Sequence, residues 1–213
     1  MREIPMMPAR PEYRAAHAAH AAQRGVSLII VMIVLTVVSL LGVAGIQIST
    51  LSERGARNDR DQQIAWQSAE ASLLDAEFDM FETTVSTRSA TFVNGDTTAF
   101  IDGCAASGNS KGLCTMVSAG KPAWLTVDFN AVGAAASTTG FGDFTGRTFN
   151  AGSQGIQPAK APRYVIEPIR DRSGGSNSRD LSTATPKYVY RVTAMGFGPR
   201  PDIQAVVQMI FRN

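Results

Sequence analysis

The chain has 213 residues, enough for one ordinary domain with additional segments. Its formal net charge is only +2, so the overall charge gives no indication of nucleic-acid binding. Ten prolines and nineteen glycines indicate long loops.

The first 25 residues differ in composition from the rest of the chain. They hold four of the twenty basic residues, two of the eighteen acids and both histidines. The remainder therefore carries sixteen charges of each sign and no histidine. The basic residues of this leader are Arg2, Arg10, Arg14 and Arg24, and its histidines are His17 and His20.

A long apolar segment follows the leader. No charged residue lies between Arg24 and Glu53, and the stretch from Val26 to Ile46 is almost entirely apolar. As a helix this stretch is roughly 30 Å long, the thickness of the hydrocarbon core of a bilayer. The arginines before it are expected to hold that end in the cytoplasm. We therefore predict a membrane span over residues 26–50, with the rest of the chain on the side away from the cytoplasm.

Two other interpretations of the apolar segment remain open. A secretory signal peptide has a shorter apolar region followed by a small-x-small cleavage site, and Ala44-Gly45-Ile46 is a weak candidate for such a site. A plain signal anchor explains the hydropathy but not the sequence after it. Gly42 and Gly45 indicate either close packing against another helix or a point where the helix can melt.

The pattern after the membrane segment predicts that the helix continues over residues 51–82. No glycine or proline lies between Asp59 and Phe81, and helix-favouring residues dominate. At about 100° per residue, two apolar stripes suggest two partners, the sheet of the same chain and a neighbouring subunit; a single wide buried face is the alternative. The first stripe is Ala65, Ala69, Leu73, Ala76 and Met80, the second is Ala71, Leu74, Phe78 and Phe81, and the remaining polar face is Ser68, Ser72, Asp75 and Asp79.

A basic leader that ends in glycine before a long apolar helix resembles the type IV pilin superfamily. The resemblance rests on the run Arg24-Gly25-Val26-Ser27-Leu28-Ile29-Ile30. It implies that a prepilin peptidase cuts after Gly25 on the cytoplasmic side and removes residues 1–25, which block assembly. Val26 would then be the new N-terminal residue, and the family usually methylates that amine.

Three regions are more closely similar to the PilX-type minor pilins. They are residues 50–77 with Asn58-Asp59-Arg60-Asp61 and Ala69-Glu70-Ala71, the loop Cys104…Gly112-Leu113-Cys114, and residues 188–212 with Gly196-Phe197-Gly198. The resemblance covers the helix well, the C-terminal end reasonably and the middle of the chain poorly.

Ile30 departs from the pattern of the pilin superfamily. The fifth residue after the cut is usually a glutamate, which in the family is thought to pair with the N-terminal amine of a neighbouring subunit. A buried carboxylate without such a partner is costly. A subunit that sits on top of no other has no need of that carboxylate, so Ile30 favours a minor subunit near the tip of a fibre.

Residues 83–160 are predicted to be rich in loops and to contain one disulfide. Cys104 and Cys114 enclose nine residues, and in a periplasmic domain two cysteines this close favour a disulfide. A zinc site would lack further cysteine or histidine ligands, and a redox-active pair more often has the spacing C-x-x-C.

The C-terminal residues 161–213 are predicted to form an antiparallel β-meander. Residues 163–169, 187–195 and 203–211 are β-prone, and alternate residues of the last two segments are apolar. The turn at 196–202 and the loop at 171–180 join these strands; for the acids of that loop a solvated turn is favoured over a calcium site. We predict a pilin-like α+β fold in which the second half of the helix packs on this sheet.

The sequence does not predict an enzyme. Cleavage would remove both histidines and with them the commonest general base, and the chain has no phosphate loop, dinucleotide fingerprint or metal-ligand cluster, so no cofactor is expected. The predicted function is that of a minor pilin in the initiation and assembly of type IV pili, supporting twitching motility or adhesion. Its expected partners are the prepilin peptidase, other minor pilins, the major pilin and a tip adhesin. The alternatives are a tip pseudopilin of type II secretion and a monomeric, signal-anchored periplasmic binding module.

Overall fold

A computed structural model of the chain describes residues 12–212 except 83, 85, 87, 153 and 172–186, with side chains described from Val26 onward. Helix α1 runs over Glu12–Phe81 and helix α2 over Ser89–Val93. The strands are β1 at Thr139–Gly140, β2 at Arg163–Arg170, β3 at Tyr188–Phe197 and β4 at Gln204–Arg212. Short 3₁₀ turns lie at Gly108–Ser110, Ala123–Leu125 and Gly133–Ala135.

The chain divides into an N-terminal unit, Met1–Ala56, and a C-terminal unit, Arg57–Asn213. In the described part of the N-terminal unit, every side chain from Val26 onward is exposed. Two threonine hydroxyl groups of this segment bond within the helix: Thr36 donates to the carbonyl of Met32 at 2.7 Å, and Thr50 donates to that of Gln47 at 2.9 Å. The segment therefore presents an apolar surface without unsatisfied hydroxyl donors at these two positions.

The C-terminal unit contains a four-stranded antiparallel sheet in the order β1-β2-β3-β4. The predicted α+β fold is confirmed, since the three predicted strands are β2, β3 and β4 and the second half of α1 packs on them. The structure adds the short strand β1, which lies in the region predicted to be loop. The predicted loop at 171–180 lies outside the described residues except for Asp171.

One face of the sheet packs against the second half of α1. Tyr164 and Ile166 of β2 and alternate residues of β3 form a buried cluster with the helix. The first predicted stripe supplies the helix side of the packing, and all five of its residues are buried: Ala65, Ala69, Leu73, Ala76 and Met80. At ordinary transfer energies each large apolar side chain buried here stabilises the fold by about 1.5 to 3 kcal/mol.

The helix and the sheet approach each other most closely at Gly196 of β3. A Cβ atom at this position would lie 2.1 Å from the carbonyl oxygen of Ala65 and 2.2 Å from the backbone nitrogen of Ala69. Both atoms belong to the backbone of α1, which cannot move aside as a flexible side chain could. The close packing therefore requires glycine on the strand opposite two alanines on the helix.

We expect Gly196→Ala to lower the free energy of unfolding of the C-terminal unit by about 1 to 3 kcal/mol, because the added methyl group forces the helix away from β3. The measurement is thermal unfolding of the full chain in detergent micelles, followed by tryptophan fluorescence. Gly55→Ala is the matched control, since a Cβ atom there would meet nothing within 4 Å. That change should be neutral or stabilising by up to about 1 kcal/mol. Equal effects of the two changes would contradict this account of the packing.

The opposite face and one edge of the sheet are covered by the residues around the two cysteines. Cys104, Cys114, Phe129 and Val165 form a second buried cluster. The backbone nitrogen of Cys114 donates to the carbonyl of Ile166, and the nitrogen of Ile166 donates to the carbonyl of Gly112, both at 2.9 Å. Together with β1, these bonds cover the first half of the outer edge of β2, residues 163–166.

The residues of the predicted polar face are not exposed to solvent. Ser68, Ser72, Asp75 and Asp79 are all buried, with relative exposures between 0 and 3%. Because this face is buried beside the first stripe, one broad face of the helix is covered by the remainder of the C-terminal unit. Leu74 and Phe78 of the second stripe stay outside this covered face, whereas Phe81 packs against the core.

Candidate functional site

The apolar surface of the N-terminal unit is the first candidate for an assembly site. Among the described residues, α1 from Val26 is the single helix long and apolar enough to cross a membrane by length and composition. Its most apolar window has a mean hydropathy of 3.0 and no buried residue. Such a surface is stable only in lipid or against other apolar helices.

The residues predicted for processing lie on the continuous helix α1, which begins at Glu12. The side chain of Arg24 lies outside the described residues, whereas the side chains of Val26 and Ile30 are exposed. Residues 26 and 30 are four apart, so they share one helix face at a rise of about 6 Å. Cleavage after Gly25 and the role of Ile30 stay predictions.

The second predicted stripe is the next candidate surface. Leu74 is 54% exposed and Phe78 is 40% exposed, while Ala71 and Phe81 at its ends are half-buried. The guanidinium of Arg147 lies 4.5 Å from the ring centre of Phe78 and covers part of it. The stripe is thus an exposed apolar strip on a helix whose other face is buried.

A buried ion pair holds the loops of the C-terminal unit against α1. Nε of Arg88 lies 3.0 Å from both carboxylate oxygens of Asp79, and Nη2 of Arg88 also donates to Oδ2. Neither side chain has any exposed surface. The remaining donors of the guanidinium reach the carbonyls of Asn109 and Lys111 at 3.1 and 2.6 Å, and its plane lies 3.7 Å from the ring centre of Phe144.

Two hydroxyl groups complete the set of donors to Asp79. Ser86 donates at 2.9 Å and Tyr164 of β2 at 2.7 Å. Burial, followed by the charge of Asp79, raises the pKa of Tyr164 well above its ordinary value of 10.0, so the hydroxyl keeps its proton and remains a donor. Helix α1, strand β2 and the loop between the cysteines are thereby joined at one carboxylate.

Asp75 lies one turn before Asp79 and binds a different loop. Its carboxylate accepts hydrogen bonds from the backbone nitrogen of Gly142 at 2.7 Å and from the hydroxyl of Thr145 at 2.6 Å, and Arg147 lies 3.8 Å away. Burial raises the pKa of Asp75 above its ordinary value of 3.8, although these hydrogen bonds act in the opposite direction. The folded state therefore disfavours the charged form.

We expect Asp75→Asn to change how stability depends on pH. Since the pKa of this acid is higher in the folded chain than in the unfolded chain, its contribution to stability is fully present below pH 3.8 and is lost as the pH rises through the folded value. The variant, which keeps no charge there, should gain stability relative to the natural chain as the pH rises. Unfolding midpoints at a series of pH values measure this gain. A stability difference between Asp75→Asn and the natural chain that does not change with pH would refute the argument.

The predicted disulfide between Cys104 and Cys114 is confirmed. The loop that it closes contains Asn109 and Lys111, whose carbonyls accept from Arg88. Gly112 in this loop has a φ of +72°, and a Cβ atom there would lie 2.2 Å from the hydroxyl of Thr139, so the loop requires glycine at this position. Closure of a loop of this size stabilises a fold by about 2 to 3 kcal/mol.

The sequence pattern did not single out Arg88, Tyr164 or Thr139 as members of a common site. Arg88 stands in a segment rich in threonine and serine, where a single arginine usually faces solvent. The one available signal is the pair of acids at Asp75 and Asp79, four residues apart on a helix that also carries the apolar stripe. Two like charges on one face call for cationic or hydrogen-bonding partners when that face is buried.

Family comparisons match both ends of this architecture. A family model described as PilX N-terminal matches residues 24–74, and one described as type IV pilus assembly protein PilX C-term matches residues 105–213. The first match contains the exposed apolar segment and most of the helix that packs on the sheet. The second begins one residue after Cys104 and contains the rest of the disulfide loop and all four strands. No curated protein and no solved structure matches the chain.

Proposed function

Since the chain belongs to the PilX family of type IV pilus assembly proteins, we propose that it is a minor pilin that helps to initiate the fibre and stays near its tip. The observation that carries the proposal is the family match to residues 24–74, which begins at the arginine before the predicted cut and includes an exposed apolar helix. Involvement in pilus assembly follows from the family. The position near the tip and the support of twitching motility or adhesion are our proposal.

The proposed mechanism is associative. Before assembly, the segment 26–50 lies in the inner membrane and the C-terminal unit lies in the periplasm. The prepilin peptidase removes residues 1–25. The segment then leaves the lipid and packs against the helices of other minor pilins and the major pilin. The exposed side chains of Leu74 and Phe78 support this mechanism, because they form an apolar strip outside the buried face of the helix that a neighbouring subunit can cover.

The buried network around Asp79 fits a structural role. Every strong donor near that carboxylate is engaged within the fold, and its two longest-range partners, Arg88 and Tyr164, are fully buried. Such a network orders loops on the helix rather than acting on a substrate. It supports a rigid subunit that presents its surfaces to neighbours, and it favours a fibre component over a monomeric binding module.

Ile30 gives the proposed position near the tip a direct test. We expect gold-labelled natural protein to be found at one end of isolated pili and Ile30→Glu to be distributed along them, because the new carboxylate can pair with the N-terminal amine of a neighbouring subunit. Ile29→Glu is the matched control: it adds the same charge one residue away on a different helix face, and it should reduce incorporation without redistribution. Unchanged location of the Ile30→Glu protein would argue against the position, and absence of the natural protein from pili would argue against the function.

A further inference from the structure

The edge of the sheet at β4 differs from the edge at β2. Strand β1 and residues 112–114 pair with residues 163–166 at the edge of β2, and Pro168 lies in the remainder of that edge, whereas β4 is the last strand of the sheet among the described residues. Natural proteins protect an open edge with lysine, proline, a bulge or a very short strand. Strand β4 is nine residues long and its sequence, QAVVQMIFR, contains no proline, lysine or acid. Its regular pairing with β3 has no bulge.

The backbone pairing shows which groups of β4 are available. The carbonyl of Ile203 accepts from the nitrogen of Gly198, so Ile203 and every second residue after it point their backbone groups toward β3. Residues 204, 206, 208 and 210 therefore point theirs away from the sheet. At the start of this edge, the side chain of Gln62 donates to the carbonyl of Gln204 at 3.4 Å. The backbone N–H and C=O groups of Val206, Gln208 and Ile210 can therefore form hydrogen bonds with a further strand.

The side chains along this edge are apolar and exposed. Val206 is 40% exposed, Met209 is 47% exposed and Ile210 is 61% exposed. Val206 and Ile210 lie on the face of the sheet away from α1, since they have the opposite parity to Val207 and Phe211, which pack against the helix cluster. An added strand with aliphatic side chains on that face would cover Val206 and Ile210.

The flank of α1 beside this edge is acidic. Gln62 contacts β4 at its start and the ring of Phe81 lies 6.4 Å from that of Phe211 near its end, so the helix and the strand run in the same direction. At about 100° per residue, the helix face bounded by these two contacts also contains Trp66, Glu70 and Glu77. All three are exposed, and the face contains no basic residue. Lysine or arginine on the helix side of an added strand would complement this charge.

We propose that the edge of β4 binds an extended strand of a different protein, with basic residues on the side of α1 alternating with aliphatic residues on the other side. A second copy of this chain is a poorer fit. Its β4 has one basic residue, Arg212, and antiparallel pairing of two copies would make the segments 57–81 run in opposite directions, although both chains carry their membrane segment before residue 57. This binding does not depend on the proposed place in the fibre.

The test uses the full chain in nonionic detergent micelles and a fluorescent nine-residue peptide in which lysine alternates with valine. We expect the peptide to bind and to slow hydrogen exchange of the backbone amides of Val206, Gln208 and Ile210, while amides paired with β3 change little. The same peptide with methyl groups on its pairing amide nitrogens should bind about tenfold more weakly, because it cannot form the ladder.

Two variants locate the binding site on the chain. Val206→Lys with Ile210→Lys should weaken binding about tenfold, and Glu70→Gln with Glu77→Gln should weaken it and reduce its salt dependence. The matched control, Val132→Lys with Ile156→Lys, alters two exposed apolar residues in loops and should bind as the natural chain does. Absence of binding, equal binding of the methylated peptide, equal binding by the β4 variant, or self-association that protects the same amides would each overturn the proposal.

Discussion

Replacing Arg88 with methionine should lower the free energy of unfolding of the C-terminal unit by about 3 to 5 kcal/mol, the usual cost of breaking a buried ion pair. The change leaves the buried carboxyl group of Asp79 without its cationic partner and with only hydroxyl donors. It also frees the carbonyls of Asn109 and Lys111 from their donor. Equilibrium unfolding of the full chain in detergent, followed by tryptophan fluorescence, measures the loss.

The control for this loss is an exposed ion pair in the same unit. Arg200 lies 3.5 Å from Asp202, with both side chains more than two thirds exposed, and Arg200→Met should have almost no effect. A second variant separates the charge from the packing. Asp79→Asn combined with Arg88→Met removes both charges and keeps an oxygen that accepts from Tyr164, so it should recover part of the stability. If the double variant is as unstable as the sum of its single changes, the ion pair is not the source of the effect.

Gly25→Ala should abolish removal of the leader and with it incorporation of the chain into pili. The resemblance implies that the peptidase requires glycine before the cut, and a Cβ atom there would obstruct the approach to the backbone. Mass spectrometry of the membrane fraction should find the natural chain starting at Val26 and the variant retaining residues 1–25. Pilus-dependent motility of a strain that carries the variant should match that of a strain without the protein.

Gly55→Ala is again the appropriate control, because it makes the same substitution in the same helix at a position with no neighbour within 4 Å. It should be cut and incorporated as the natural chain is. A Gly25→Ala chain that starts at Val26, or a natural chain that starts at any other residue, would rule out the proposed processing. A blocked but still functional chain would instead favour the monomeric, membrane-anchored alternative.

Local patterns in the sequence were sufficient for most of the fold. The absence of charge from residue 25 to 52 predicted an apolar helix, and the spacing of Ala65, Leu73 and Met80 predicted the face that packs on the sheet. Alternating apolar residues in the last two predicted strands predicted β3 and β4, and two cysteines ten residues apart predicted the disulfide. Each of these features repeats within a few residues, so hydrophobic periodicity or spacing reveals it.

The sequence by itself determined the membrane-compatible helix, its apolar stripe, the strands of the meander and the cysteine pair. The tertiary structure alone decided that Asp75 and Asp79 are buried, that Arg88 joins the disulfide loop to the helix, and that β4 forms an open edge. These three outcomes depend on partners distant in the chain: the carboxylate of Asp79 meets Tyr164, 85 residues away. The sequence shows the same aspartate whether its carboxylate contacts water or a buried arginine. Only the assembled fold distinguishes the two cases.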